Sequence, residues 1–363
     1  MNVSKKDLYS RQTILPEIGE TGQEALLSSR VAIVGCGGLG GLVAVQLAAS
    51  GVGFLHLIDY DLVSVSNLHR QIFYRLEDVG AYKAEVLDRY LGALSPFVQS
   101  TTSSDPLTKE NIEGELKDFD LVIDCTDSLS TKFLINDYCV LADKALIYGS
   151  LYKHDGYVSS FNLPLVNGRS ANLRDAFANL PQKSIPNCSE IGTLNTIVGL
   201  IATLQTNEAI KVLTGTGSPL ANKLLIYNSM HNSQFTMSLS QRVTRKEIES
   251  IYEEESYFEP RCAVQDEALL IYPDQLAERM DEVEILSVIE DAEHPLPFRA
   301  DHRIPYSGFS PEKVSLSDGK DLVIVCKKGI TSYEITRLMR SILDDRKVLS
   351  LVGGTENYRN GQG

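Results

Sequence analysis

The sequence predicts an α/β chain in two parts: a doubly wound domain over residues 1–243, a connecting segment over 244–264, and a smaller α/β domain over 265–363. Three observations carry this. A β-branched run, VAIV at 31–34, breaks at GCGGLG (35–40), passes into an apolar helical stretch and returns to an apolar run ending at Asp59, which is strand, glycine turn, helix, strand. Further strand and helix patterns follow as far as residue 238, and after a charged stretch the alternation restarts beyond residue 268.

Composition sets outer limits. A chain of 363 residues suits two domains with ordinary cores. A net charge of -14 argues against general binding to nucleic acid or to an anionic membrane. No basic-then-apolar leader opens the chain and no apolar run reaches membrane-spanning length, so a cytoplasmic protein is expected. The six cysteines (36, 125, 139, 188, 262, 326) form no C-x-x-C pair, which argues against a disulfide framework and a four-cysteine zinc site.

Taken in order, residues 1–30 read as a polar helical arm carrying Arg11 within YSRQ (9–12). In the glycine turn, Gly35 permits the tight reversal, Gly37 lets backbone N–H groups approach a phosphate, and Gly40 lets the helix pack on the strand. The helix start at Gly38 and Leu39 favours an anion. Asp59 stands at the spacing of a carboxylate that binds ribose hydroxyls, although a glycine-rich turn also arises for packing alone. Beyond it come Asp61, Asn67, Arg70, Gln71 and Lys83. Polar and cationic groups just past a ribose-binding strand suit a triphosphate better than a nicotinamide; singly, each is an ordinary solvated side chain.

The spacing of Val86, Leu87, Tyr90, Leu91 and Leu94 predicts a helix over 83–94 with Lys83 near its start. A third β-α unit ends in the strand FDLVI (119–123), at whose carboxyl end stand DCTD (124–127), where open α/β sheets place ligands. Asp127 stands at that ligand position and, beside Ser128 and Thr131, also suits a helix cap. Strands are expected over 145–149 and 156–162, then a long polar loop over 162–187. Cys188, in PNCSEIG (186–192), precedes an apolar helix over 196–212. It reads either as a thiolate favoured by the helix start or as an inert small hydrophobe. Two strands follow within 223–238, then the connecting segment with a short helix and a solvated acidic face. The second domain is expected as helix 272–277, strands 284–288 and 322–325, helix 331–343 and strand 348–351, with Cys326-Lys327-Lys328-Gly329-Ile330-Thr331-Ser332 between strand and helix.

GCGGLG, DYDLVSVSNLHRQ, Lys83, DCTD and PNCSEIG, in that order, resemble the ThiF/MoeB/HesA family, bacterial relatives of ubiquitin-activating enzymes, over residues 7–243. The resemblance implies a Rossmann-like ATP-binding domain that adenylates the C-terminal glycine of a small ubiquitin-like sulfur-carrier protein ending in Gly-Gly, releasing pyrophosphate. It implies that Gly35, Gly37, Gly38, Leu39 and Gly40 cradle ATP with Asp59 and Asp61, that Asn67, Arg70, Gln71 and Lys83 hold phosphates, and that Asp127 holds Mg2+ and is catalytic. Arg11 would cross from the partner of a homodimer. Lys132 stands where relatives carry an arginine, which keeps the charge. Cys188 matches a cysteine that is acylated in some members and dispensable in others. Many relatives bind a structural zinc through two C-x-x-C motifs; neither is present here, so none is expected.

C-x-x-G-x-x-S at 326–332 with LVGG at 351–354 resembles the rhodanese active site and its closing glycine motif, over residues 265–360. SVIE (287–290) replaces the usual Asp-Val-Arg-Glu. The resemblance implies sulfur transfer from a Cys326 persulfide, loaded by an upstream donor, towards molybdopterin, thiamin or thiolated tRNA; the alternative is a degenerate docking domain. Two other readings stay open, a peptide adenylyltransferase, which the rhodanese-like tail disfavours, and a nucleotide-binding scaffold or NAD-dependent oxidoreductase. Neither nucleic acid nor membrane is expected as a partner.

Overall fold

The computed structural model describes residues 4–177, 192–257 and 266–358. Excepted are residues 292, 315, 317, 318, 328, 344, 345, 356 and 357 and the side chains of 267 and 330. The chain divides into two units, Met1–Tyr257 and Phe258–Gly363. No described helix is long and apolar enough to cross a membrane.

The first unit opens with α1 (Lys5–Thr13) and α2 (Gly19–Ser28), then runs β1 (Arg30–Val34), α3 (Gly38–Ser50), β2 (Phe54–Ile58), α4 (Lys83–Leu94), β3 (Gln99–Ser103), α5 (Ile112–Leu116), β4 (Leu121–Asp124), α6 (Leu129–Leu141), β5 (Ala145–Tyr152) and β6 (Asp155–Phe161). A small hairpin follows, β7 (Pro164–Leu165) with β8 (Gly168–Arg169), then α7 (Leu173–Ala176), α8 (Asn195–Thr214), β9 (Lys223–Asn228), β10 (Ser233–Ser238) and α9 (Arg245–Glu254). One sheet has the order β10-β9-β6-β5-β4-β1-β2-β3. Its β3-β2-β1-β4-β5 core is parallel, and β6, β9 and β10 extend it antiparallel.

Alternation along β1 explains the layers, because successive side chains point to opposite faces. Val31 and Ile33 join a core with Val43, Leu47, Leu87 and Ile201 from α3, α4 and α8. Ala32 and Val34 join another with Ile112, Leu116 and Phe133 from α5 and α6. Helices therefore cover both faces, and the central strands are buried, β4 throughout and β1 from Val31 on. α3 ends at Gly51, at φ 90°, whose N–H returns to Leu47 and Ala48.

Two stretches differ from expectation. Of the polar run over 162–187, residues 178–187 lie outside the described residues; within 162–177, Ala171 and Leu173 are buried, and Asn162 Nδ2 donates to the carbonyls of Cys139 and Lys144, each at 2.8 Å. Polar residues here satisfy backbone groups instead of marking a mobile loop. Residues 244–257, expected as part of a connection, belong to the first unit, where Ile248 and Tyr257 are buried.

The second unit contains β11 (Leu270–Ile271), α10 (Pro273–Glu278), β12 (Val283–Ser287), β13 (His302–Arg303), β14 (Asp321–Val325), α11 (Ile330–Arg340) and β15 (Val348–Leu351). These strands form a parallel sheet ordered β11-β15-β14-β12-β13. β14 is its centre and leads directly into Cys326.

Candidate functional site

From β1 the chain builds β2 and β3 to one side, then returns as β4 and β5 on the other. The carboxyl ends of β1 and β4 thus flank a reversal of strand order, the place where open α/β sheets form ligand crevices. Its floor is the turn 35–40. Gly35 has φ +90°, and a Cβ there would lie 2.8 Å from the Cys125 carbonyl; one on Gly40 would overlap the Gly35 carbonyl. Both are steric requirements of the turn. Gly37 is different. A Cβ there would meet Gln71 Nε2 at 3.4 Å, an ordinary contact, which leaves a cradle above the first turn of α3, where no side chain caps the backbone at Gly38 and Leu39.

Asp59, 7% exposed, straps this turn to the end of β2. One carboxylate oxygen accepts from Cys36 N at 2.6 Å, the other from Asp61 N at 2.8 Å. Each oxygen keeps a lone pair for a ribose hydroxyl. Burial raises the Asp59 carboxyl to about 6, against the pull of Lys83. Lys83 is buried at the start of α4 and donates to Asp61 Oδ2 at 2.6 Å. Burial opposes its charge, but the carboxylates of Asp59, Asp61 and Asp127 outweigh burial and hold the ammonium above the usual lysine range. Lys83 therefore lies in the field of acids from two different strand ends.

The segment after Asp61 folds over the glycines. Asn67 closes a 3-10 turn (Val65–Asn67), its Oδ1 accepting from Ser64 N at 3.3 Å and its carbonyl from Arg70 N and Gln71 N, each at 3.0 Å. Arg70 O lies 3.2 Å from a Cβ built on Gly38. Its guanidinium donates to Ser66 O at 3.0 Å and stands 3.0 Å from His69 Nε2. Gln71 is 3% exposed, and its buried Oε1 has no hydrogen-bond partner. An orphaned amide oxygen above an open cradle suits a polar ligand.

Across the crevice, Asp124 Oδ1 accepts from Thr126 N at 3.0 Å and Thr126 Oγ1 at 2.7 Å, while Oδ2 accepts from Lys132 Nζ at 3.0 Å. Lys132 also donates to Gly149 O at 2.8 Å. It is a buried anchor for the turn that carries Asp127. The cap of α6 is Ser128, which accepts from Thr131 N, so the helix does not use Asp127 for that purpose.

Two residues that sequence reasoning passed over complete the frame. Tyr74, 4% exposed, donates to Cys36 O at 2.7 Å and lies 3.1 Å from Lys83 O. Gln205, fully buried in α8, donates to Asp124 O at 2.9 Å. A lone glutamine inside an apolar helix was a readable signal; an aromatic beside Phe73 was not, because it reads as core.

Arg11 is not brought into this crevice by its own chain. It is exposed on α1, whose Gln12 donates to Ser50 O at 3.0 Å and whose Tyr9 hydroxyl lies 3.4 Å from Ser95 Oγ, at the amino ends of β2 and β3. Cys188 lies outside the described residues.

In the second unit Cys326 Sγ accepts from Gly329 N at 3.2 Å and Ser332 N at 3.3 Å, and stands 3.3 Å from Ser332 Oγ, which accepts from Ser350 Oγ at 2.9 Å. The loop closes on the 351–355 turn, Thr355 N donating to Cys326 O at 2.9 Å. In the departing SVIE stretch, Glu290 accepts from Ser307 N at 3.1 Å.

The chain is similar to a sulfur carrier protein adenylyltransferase of Thermus thermophilus, 42% identical over 62% of this chain and 84% of the relative. It is also similar to the probable adenylyltransferase/sulfurtransferase MoeZ of Mycobacterium tuberculosis, 32% identical over 90% of this chain and 86% of the relative. Among solved structures, Escherichia coli MccB matches with a TM-score of 0.58 over 66% of this chain and 74% of that one, at 23% identity, a likeness of fold. The ThiF family model matches residues 9–247, from the first helix past the last strand of the large sheet and through every part of the crevice described above, and on that match the chain belongs to the ThiF family.

Proposed function

We propose that this chain uses ATP to adenylate the C-terminal glycine of a small ubiquitin-like sulfur-carrier protein, and that its second unit supplies sulfur to the activated carboxyl. The observation that carries the proposal is the uncapped glycine turn at the reversal of strand order, with Asp59 strapped across it and Lys83 paired to Asp61 at 2.6 Å beside it. The names of relatives that span most of this chain point to the same chemistry.

In this reading the triphosphate lies over Gly37, Gly38 and Leu39, with Asp59 on the ribose. Lys83, Arg70, Asn67 and Gln71 contact phosphate oxygens. The carrier carboxylate attacks the α-phosphorus, the bond to the bridging oxygen breaks, and pyrophosphate leaves with the displaced charge. Fixed donors and cations stabilise that charge, and alignment of the two reactants supplies much of the acceleration. Among the described residues no three His, Cys, Asp or Glu side chains are grouped to hold a metal ion. Asp127 fits Mg2+ held mainly by substrate phosphates, as this ion is commonly bound, and the ion would neutralise phosphate charge there. Arg11 is assigned to the crevice of a second copy in a homodimer, a reading that its exposed place at the far end of the sheet supports.

Sulfur delivery is assigned to Cys326. The outer sulfur of its persulfide attacks the acyl carbon, AMP departs, and a thiol then cleaves the S–S bond to free the thiocarboxylate. That thiol is an external reductant, a second equivalent of which frees Cys326 from the mixed disulfide, and a separate donor reloads Cys326. In the route through Cys188, its thiol first takes the carboxyl from AMP as a thioester, which the persulfide then cleaves. A cytoplasmic location suits this thiol chemistry.

ATP–pyrophosphate exchange with and without a Gly-Gly-ending carrier tests the adenylation step. Carrier-dependent exchange is expected, abolished in Asp127→Ala with the circular dichroism spectrum preserved. Full exchange in that variant would refute the role of Asp127, and exchange indifferent to carrier would refute the substrate.

A further inference from the structure

Cys36 is held through both of its backbone groups: its N–H, part of the peptide from Gly35, donates to Asp59 Oδ2 at 2.6 Å, and its carbonyl, part of the peptide to Gly37, accepts from the Tyr74 hydroxyl at 2.7 Å. The same hydroxyl lies 3.1 Å from Lys83 O. Tyr74 is buried, edge-on to Phe73 with centroids 4.7 Å apart, and Phe73 occupies the space that a Cβ on Gly41 would take. Burial raises the Tyr74 hydroxyl far above its ordinary value, so it keeps the proton it donates to these carbonyls.

In a trans peptide the carbonyl of one residue and the N–H of the next point in opposite directions. With the Cys36 carbonyl bound to Tyr74, the Gly37 N–H faces away from that ring, and a Cβ on Gly37 would be in ordinary contact with Gln71 Nε2. We propose that Tyr74 is a positioning residue for the nucleotide phosphates: its hydroxyl fixes the orientation of the Cys36–Gly37 peptide so that the Gly37 N–H meets a phosphate oxygen, and it sets the distance from that turn to Lys83. This rests on the reading that the crevice takes ATP.

Tyr74→Phe removes the hydroxyl alone. Calorimetric titration of the full chain with ATP and, separately, adenosine is expected to show ATP binding about tenfold weaker in the variant, the scale of a hydrogen bond to a charged group, with adenosine within about twofold of the parent. Equal weakening of both ligands, or no change in either, overturns the proposal. A parent chain that binds neither overturns the ATP reading and the proposal with it, whereas ATP binding indifferent to Tyr74 overturns the proposal alone. Should the variant misfold, the amide resonance of Gly37 in the unaltered chain decides. A shift with ATP and none with adenosine supports the proposal, and a resonance that ATP leaves unmoved overturns it.

Discussion

Asp59 shows how one residue can hold the site together and also tune it. Its burial raises the carboxyl to about 6. Between its ordinary value near 4 and that raised value the folded chain binds more protons than the unfolded one, so the contribution of Asp59 to stability falls as pH rises through this window. Ribose binding has the opposite requirement, since hydroxyls donate best to an ionised carboxylate. Nucleotide affinity should therefore weaken as pH is lowered through about 6, and titrations of Asp59→Asn across the same range should be flat; a parent profile without that inflection would contradict the assignment. At this scale the chain was partly legible. Gly35, Gly40 and Asp59 stand where motif spacing puts them, because turn sterics are local. That Lys132 is a buried partner of Asp124 was not legible, since charge alone does not say whether a lysine faces a phosphate or a neighbour.

Elements were predicted best where their cause is local. The helix beginning at Lys83 and the strand over 348–351 lie as their apolar spacing requires. The stretch after Asn162 misled for a physical reason: its polar side chains bond to backbone and to one another inside the unit. Asp137 is the centre of that network, fully buried on α6 and accepting from Arg174 Nε at 2.8 Å, Arg174 Nη2 at 2.5 Å and Tyr257 Oη at 2.5 Å. Asp175 extends it, accepting from Arg242 N at 2.6 Å and Val243 N at 2.9 Å. Together they fasten α7 and the approach to α9 onto α6. Asp137→Asn leaves the largely buried Arg174 cation without its counter-charge and should destabilise the first unit by about 3 kcal/mol in urea denaturation. A loss under about 1 kcal/mol would place the anchorage in apolar packing around Ile248 and Tyr257 instead.

On the scale of the whole molecule, each unit places a candidate residue past the carboxyl end of a strand inside the parallel part of its sheet, Asp127 after β4 and Cys326 after β14. If adenylation and sulfur delivery are divided between them, Cys326→Ala should retain carrier-dependent pyrophosphate exchange and yield no carrier thiocarboxylate by mass spectrometry; thiocarboxylate formed at the parental level would remove Cys326 from the scheme. Taken alone, the sequence determined the turn chemistry, the alternation of strand and helix, the restart after the charged stretch and the identity of most candidate ligands, because each depends on neighbours a few residues away. Only the tertiary structure decided the strand order β10-β9-β6-β5-β4-β1-β2-β3. It likewise decided the pairing of Lys83 with Asp61, the grip of Tyr74 on the glycine turn and the place of Arg11 away from its own chain's crevice. Those follow from which apolar faces bury one another, a choice made between segments far apart in the chain, and periodicity within any one segment carries no record of it.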